Sequence, residues 1–145
     1  MKIESFEIRS PAELIRAVAD RVPLTEGTVY AVLVGDPSRA QKIRELEELP
    51  CGAFIEDDHD VRDLLEELDT RWAPAGHVLP SEAKVVTVVV RRGLCAWGPV
   101  EWAWSMAWRY AFTRLSGGDL ITVTEHGWFD FMTEHADHQP ALVEA

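Results

Sequence analysis

The chain has 145 residues, of which 47% are hydrophobic and 27% are charged, and its formal net charge at pH 7 is −11. This length favours one domain with its own core, and the balance of apolar and charged residues argues against a chain that is disordered throughout. The negative charge disfavours binding to nucleic acid phosphates and to anionic membranes, because both need clustered Lys and Arg. A solvated acidic surface is the simplest interpretation of the charge, and a basic partner is the functional one.

The sequence shows no pattern typical of a membrane or secreted protein. No apolar run approaches the roughly 20 residues that span a bilayer. Residues 1–10 alternate between charged and apolar, and they lack the continuous apolar block of a signal peptide. Cys51 and Cys95 are far apart without a CxxC spacing, which is typical of free thiols in a cytosolic protein. We therefore predict a cytoplasmic protein.

At the N-terminus, the alternation at 2–8 predicts a short strand, and a helix is predicted to follow it. Ser10 can cap this helix, Pro11 suits its first position, and Glu13 lies where a capping box needs its glutamate. The inward stripe of the helix consists of Leu14, Val18 and Val22.

The next segments predict further strands and a helix. Residues 28–34 are apolar and rich in β-branched side chains, which indicates a buried strand. Asp36 and Pro37 can start a second helix that continues to about Leu49, although a turn followed by an exposed strand is the alternative. The segment 51–55 predicts another short strand.

The clearest amphipathic helix is predicted at 60–72, with Asp60 as its cap. Pro74 ends it, and the residues at 73–83 form a loop that is too short to separate two domains. The apolar stripe of this helix consists of Val61, Leu64, Leu65, Leu68 and Trp72.

A bare apolar strand at 85–90, a tryptophan-rich helix at 99–115 and a second buried strand at 120–124 complete the pattern. Alternating strands and helices predict an α/β fold: a single-domain, three-layer sandwich in which helices flank a mixed sheet. We assign this domain to 1–132 and predict a loosely held polar tail at 133–145.

The tryptophan-rich helix either packs into the core or presents aromatic side chains to a partner. Its predicted inward stripe includes Trp104 and Trp108, whereas Trp102 lies on the opposite side. Because Trp and Arg are enriched at the energetic centres of protein interfaces, Trp97, Trp102 and Arg109 are candidate interface residues.

The acidic run at 56–60 follows the predicted strand at 51–55. Asp57 and Asp58 are candidate binding residues for a basic partner, whereas a solvated loop that caps the next helix is the simpler interpretation. His59 within this run is a weak candidate metal ligand, but the spacing matches no EF-hand loop. His135 and His138 are equally weak candidates, because helical histidines bind zinc well at i, i+4 and these are at i, i+3. We expect neither a metal ion nor a cofactor.

Glu125 and His126 follow the last predicted strand, where ligands gather in open α/β sheets. They are a weak candidate acid–base pair. Arg91 and Arg92 follow the strand at 85–90, where they are candidates to hold an anionic substrate. Cys95 lies just beyond them and would be a reactive thiol if these cations lower its pKa. Motifs for phosphate loops, dinucleotides, serine hydrolases and zinc proteases are absent from the sequence.

The leading hypothesis is a non-enzymatic binding or regulatory module that engages a protein partner through an acidic face at 44–69 flanked by exposed aromatic residues. An inhibitor that plugs a basic active site is one version of it. The alternative is a small hydrolase or transferase that uses Glu125 and His126 with Arg91 or Arg92, which requires one cavity shared by these residues. A DNA mimic and a homodimer that covers the tryptophan-rich helix are further alternatives.

Overall fold

The computed structural model describes residues 7–76 and 78–143. These residues form an α/β three-layer sandwich with a mixed six-stranded sheet and three helices, as predicted. The helices are α1 (Pro11–Arg21), α2 (Asp58–Trp72) and α3 (Pro99–Tyr110). The strands are β1 (Val29–Gly35), β2 (Lys42–Glu48), β3 (Ala83–Val90), β4 (Ser116–Thr124), β5 (Gly127–Asp130) and β6 (Ala136–Asp137).

The strands are ordered β2-β1-β3-β4-β5-β6 across the sheet. Only β3 and β4 are parallel, and α3 connects them, whereas all other neighbouring pairs are antiparallel. The carboxyl ends of β3 and β4 therefore lie at the same edge of the sheet. The loop at 91–98 leaves β3 at this edge and leads into α3.

Hydrophobic cores lie on both faces of the sheet. On one face, α1 packs Leu14, Ile15 and Val18 against strand residues such as Val86 and Val88. On the other face, α2 and α3 bury a second cluster, which includes Leu65, Leu68, Trp104 and Trp108. Every residue of β3 is buried because helices cover the sheet on both sides, which explains the nearly unbroken apolar run of its sequence. No helix in the described part of the chain is both long and apolar enough to cross a bilayer.

The helix predicted from Asp36 to Leu49 is wrong, and the alternative of a turn and an exposed strand is confirmed. Asp36 and Gln41 have positive φ angles of 48° and 50°. A right-handed helix that reaches Leu49 cannot continue through Gln41 in this conformation. The strand β2 pairs with β1 at the outer edge of the sheet, and its charged residues face solvent. Pairing with β1 overrides the helix propensity of this Glu-rich segment. The segment 51–55 is not a strand.

Two helix boundaries differ from the predictions. Asp57, and not Asp60, caps α2, because its carboxylate accepts a hydrogen bond from the backbone N–H of His59 at 2.9 Å. The tryptophan-rich helix ends at Tyr110 and not at residue 115. Beyond it, β4 starts at Ser116, earlier than predicted. Gly117 permits this start, because a Cβ atom at that position would overlap the ring of Trp108.

At the N-terminus, most of the strand predicted at 2–8 lies outside the described residues, and residues 7 and 8 are not in a strand. Ser10 caps α1 by accepting a hydrogen bond from the backbone N–H of Glu13 at 3.2 Å. The predicted capping box is wrong in its second half. The backbone N–H of Ser10 donates to the side chain of Gln41 at 2.7 Å, and Glu13 pairs with Arg9 instead.

The segment predicted as a tail at 133–145 contains β6, which pairs with β5. Leu142 is buried, and its backbone N–H donates to the carbonyl of Thr124 at 3.0 Å. The backbone N–H of Val143 donates to the carbonyl of Leu24 at 2.8 Å. Residues 136–143 are thus hydrogen-bonded to the domain, an arrangement that the polar composition of the segment did not indicate.

Candidate functional site

A buried ion pair fixes the loop at 91–98 beneath the start of α3. The carboxylate of Glu101 is 0% exposed and accepts hydrogen bonds from Arg91 Nε at 2.8 Å and Arg91 Nη2 at 3.1 Å. It also accepts from the hydroxyl of Thr122 on β4 at 2.8 Å and from the backbone N–H of Gly98 at 2.9 Å. Arg91 in turn donates to the carbonyl of Ala96 at 2.8 Å. The network ties β3, the loop, α3 and β4 together.

Burial alone would raise the pKa of Glu101, but the hydrogen bonds from Arg91 and Thr122 outweigh it and hold the pKa below its ordinary value. Glu101 is therefore charged and fully paired, and its role is to hold the loop in place. The role of Glu101 was not predicted from the sequence. The available signal was one glutamate in the first turn of an otherwise apolar helix, with an arginine at the end of the preceding strand.

An open groove of about 390 Å³ lies between the loop at 91–98 and Phe54. Phe54 and Trp97 are among its walls, with 59% and 47% of their surfaces exposed. Trp97 is steadied by an edge-to-face contact with Phe131, with ring centroids 5.2 Å apart. We call this cavity the apolar groove. Its apolar lining consists of Phe54, Leu94, Ala96, Trp97, Pro99 and Val100.

A second cavity of about 310 Å³ lies farther along α3, between that helix and the start of α2. Trp102, which is 58% exposed, lines this cavity together with Glu56 and Asp58. We call this cavity the acidic groove. Its lining consists of Ile55, Glu56, Asp58, Trp102, Ala103 and Met106.

No residue lines both grooves, but the residues that line them are consecutive in the chain. On one side, Phe54 lines the apolar groove, and Ile55 and Glu56 line the acidic groove. On the other side, residues 97–101 line the apolar groove, and Trp102 and Ala103 line the acidic groove. A hydrogen bond to α3 holds the segment 54–56 in place, because the indole N–H of Trp104 donates to the carbonyl of the preceding residue, Ala53, at 2.8 Å. The backbone N–H of Ala53 also donates to the carbonyl of Gly27 at 2.9 Å. A buried tryptophan of α3 thus positions the chain that carries Phe54 and Glu56.

The acidic residues of this surface differ in how they are engaged. Asp57 caps α2, and Asp58 forms an ion pair with Arg62 at 3.2 Å. Within the described ranges, the carboxylate of Glu56 makes no hydrogen bond or ion pair. Glu56 is therefore available to a ligand without breaking a contact of the domain.

Of the interface residues proposed from the sequence, Trp97 lines the apolar groove and Trp102 and Asp58 line the acidic groove. Arg109 lines neither groove. Its guanidinium lies 5.9 Å from the ring centroid of Tyr110, which Arg62 approaches from α2 at 6.0 Å. Arg109 is exposed near the end of α3 and extends the same outer surface.

The residues of the enzymatic alternative are only partly brought together. Glu125 accepts a hydrogen bond from the backbone N–H of Gly93 at 2.7 Å and pairs with Arg92 at 3.4 Å and with His126 at 3.3 Å. The hydrogen bond from Gly93 is the main cause of the lowered pKa of Glu125. Arg91 instead turns under α3 towards Glu101.

Arg91 and His126 also line different cavities. His126 lines a separate cavity of about 350 Å³ that is shared with Cys95 and His138. The thiol of Cys95 contacts the hydroxyl of Thr124 at 3.1 Å, and it forms no disulfide. Arg91 and His126 therefore do not meet in either of these two cavities, whereas the enzymatic hypothesis needs them to share one.

The three histidines proposed as weak metal ligands lie in different surroundings. His59 contacts Arg62, with its Nδ1 atom 2.6 Å from Nη2 of the arginine. His135 and His138 are exposed and flank the short strand β6. Among residues 7–76 and 78–143, no group of three or more His, Cys, Asp or Glu side chains is arranged to hold a metal ion.

Comparison with known proteins adds no assignment to this geometry, since no family model, curated protein or solved structure matches the chain.

Proposed function

We propose that the protein is a non-enzymatic cytoplasmic binding or regulatory module that engages a protein partner through the two grooves along α3. The observation that carries this proposal is the lining of the acidic groove. Trp102, from the outer face of α3, lies beside Glu56 and Asp58, from the segment that leads into α2. Aromatic and acidic residues that are distant in sequence therefore share one accessible surface.

The solvent exposure of the residues that line the grooves supports this proposal. Large apolar side chains on a protein surface forgo the favourable free energy of burial, so a group of them on one surface is typical of a binding site. Phe54, Leu94, Trp97 and Trp102 are all exposed and line adjoining grooves. Tryptophan is among the residue types that contribute most to the free energy of binding at protein interfaces.

The charge of the chain points to a basic partner. Its formal net charge is −11, and the segment next to Trp102 carries Glu56, Asp57, Asp58 and Asp60. Complementary charge accelerates encounter with a basic surface and disfavours acidic competitors. An inhibitor or regulator that covers a basic active site is one concrete form of this function.

Affinity capture with a pair of matched variants tests the proposal. Trp102→Ala and Glu56→Lys should each abolish recovery of a partner that the wild-type protein retains at low salt. Phe112→Ala and Asp20→Lys are the controls, because both residues are exposed and neither lines a groove. The proposal is wrong if the captured protein is retained equally by Trp102→Ala and Glu56→Lys.

The hydrolase or transferase hypothesis has weaker support. The contact between Arg92, Glu125 and His126 at the carboxyl ends of β3 and β4 favours it. The separate cavities of Arg91 and His126 do not.

A further inference from the structure

We infer that the two grooves recognise an extended segment of a protein partner in which an apolar side chain and a Lys or Arg are separated by one residue. The apolar side chain occupies the apolar groove, and the cation occupies the acidic groove. This inference rests on the proposed function and specifies the chemistry of the partner.

The apolar groove is suited to an uncharged side chain even though Arg91 and Arg92 contribute to its lining. Arg91 is held by Glu101 under α3. Arg92 pairs with two carboxylates, Glu26 at 2.9 Å and Glu125 at 3.4 Å. Both cations are thus already neutralised, and the exposed parts of the groove are apolar side chains such as Leu94 and Trp97. An aliphatic or aromatic side chain would bury these surfaces without desolvating an unpaired charge.

The acidic groove is suited to a cation. The face of an indole attracts a guanidinium or ammonium group, and carboxylates accept hydrogen bonds from either group. Trp102 supplies the indole, and the carboxylate of Glu56 supplies an acceptor that no described residue occupies. Asp58 adds a second carboxylate, which is shared with Arg62. The methylene groups of a Lys or Arg side chain can pack on Ile55 and Met106 while its charge reaches the carboxylates.

The sequence spacing follows from the geometry of α3. The helix contributes Val100 to the apolar groove and Ala103 and Met106 to the acidic groove. Because an α-helix rises by about 1.5 Å per residue, the two grooves are displaced by roughly 5–9 Å along the helix axis. In an extended chain, side chains two residues apart point to the same side and are separated by roughly 7 Å. An apolar residue and a basic residue with one residue between them therefore match both grooves.

Charge also decides against a second copy of the chain as the occupant. In a twofold-symmetric dimer through this surface, the same patch would face itself. The acidic segment that contains Glu56, Asp57 and Asp58 would then approach its own copy, which places like charges together in a partly desolvated interface. A basic segment of another protein meets the same surface with opposite charge.

Synthetic peptides test this inference directly. The probe is a blocked peptide with the core Leu-Ser-Arg flanked by glycines. In one comparison peptide, citrulline replaces the arginine, which removes the charge and preserves the shape. In a second, alanine replaces the leucine, and in a third the serine is deleted. Binding is measured at low salt by titration calorimetry with the full-length chain, and the contacted residues are mapped by NMR chemical-shift changes.

We expect the Leu-Ser-Arg peptide to bind at least about 10-fold more tightly than the citrulline, alanine and serine-deleted peptides, since each loses one groove contact of about 1.4 kcal/mol or more. Equal affinity of the serine-deleted peptide would overturn the inferred spacing. Trp102→Ala should weaken binding of the Leu-Ser-Arg peptide by a similar factor. Glu56→Gln should weaken it by several-fold and should leave the citrulline peptide unaffected. Asp20→Asn, which removes the same charge from an exposed residue of α1 outside both grooves, should change its affinity by less than about 2-fold.

The results separate failure of the inference from failure of the proposed function. Equal affinity for the arginine and citrulline peptides, lost in Trp102→Ala, would overturn the cation site and leave the binding surface intact. Absence of any peptide binding would also overturn the inference, while a partner captured through Trp102 would preserve the proposed function. Binding of the basic peptide that is unchanged by both Trp102→Ala and Glu56→Gln would overturn the inference and the assignment of the surface together.

Discussion

The two faces of α3 carry tryptophans in opposite environments. On the inner face, Trp104 is fully buried, and its indole N–H donates to the carbonyl of Ala53. Trp108 is also buried there, and its indole N–H donates to the hydroxyl of Thr87 at 2.8 Å. On the outer face, Trp102 is mostly exposed and lines the acidic groove. The helix is thus both a core element and a surface element, whereas the sequence-based prediction treated these as alternatives.

This difference separates the residues that the fold requires from those that it does not. The inner face fills the core and satisfies every indole N–H that it buries. The outer face leaves a large aromatic side chain in water, where it adds little to the stability of the domain. Substitutions on the two faces should therefore differ strongly in their effect on the free energy of unfolding.

The largest effect is expected for Trp104→Ala. Removal of this buried ring leaves a cavity and an unpaired carbonyl at Ala53, so the free energy of unfolding should fall by about 3–5 kcal/mol. Urea denaturation monitored by circular dichroism measures the change. Trp104→Phe is the informative companion, because it keeps an aromatic ring while it removes the N–H donor and part of the ring volume. It should reduce the free energy of unfolding by less than Trp104→Ala does. It should still weaken binding of the Leu-Ser-Arg peptide, since the segment that carries Phe54 and Glu56 loses its hydrogen bond to Trp104.

Glu101→Gln should have the next largest effect. The substitution leaves the guanidinium of Arg91, whose side chain is 11% exposed, without its counter-ion, and breaking a buried pair typically costs about 3–5 kcal/mol. Thr122→Val, which removes one hydrogen bond to the same carboxylate, should cost only about 1–3 kcal/mol. The same denaturation experiment measures both variants. A loss below about 1 kcal/mol in Glu101→Gln would mean that the ion pair does not hold the loop at 91–98.

The pH dependence of stability should distinguish Glu101 from a second buried carboxyl group, Asp119. The pKa of Glu101 is lowered, so its stabilising contribution is present above the unfolded value of about 4.3 and is lost as the pH falls through the folded pKa. Burial raises the pKa of Asp119 although it contacts Lys84. Its contribution therefore has the opposite sign: it is greatest below about 3.9 and is lost as the pH rises through the folded pKa.

Denaturation at a series of pH values from neutral to acidic tests both signs. The stability advantage of the wild-type protein over Glu101→Gln should shrink as the pH falls. Relative to Asp119→Asn, the wild-type protein should instead gain stability as the pH falls. Parallel curves for the two comparisons would contradict the opposite shifts of the two pKa values.

The sequence predicted the fold class because the buried strands and the inner face of α3 are determined by local pattern. The uninterrupted apolar run of β3 and the spacing of Val61, Leu65 and Leu68 in α2 need no partner to be recognised. The segment that forms β2 was assigned to a helix because its strand conformation depends on pairing with β1. That pairing is a long-range contact, which composition does not reveal.

The candidate site was predictable only in part. Trp102 and Asp58 were proposed from residue type and charge, but their meeting in one groove depends on how α2 packs beside α3. Phe54 and Glu56 gain their place from the hydrogen bond between Trp104 and Ala53, which joins residues 51 positions apart. The role of Glu101 in α3 likewise depends on Arg91, which directly follows β3, and on Thr122 in β4. These three residues meet only when the chain has folded.

The smallest effect on stability is expected for Trp102→Ala, at about 0.5 kcal/mol or less, because the ring is exposed and makes little contact with the core. The same variant should nevertheless change the fluorescence of the protein. Acrylamide reaches exposed indoles first, so the quenchable fraction of the emission should fall in Trp102→Ala and rise in Trp104→Phe, which removes a buried indole. A large loss of stability in Trp102→Ala, or an unchanged quenchable fraction, would show that the outer face belongs to the core. The binding surface would then have to lie elsewhere on the domain.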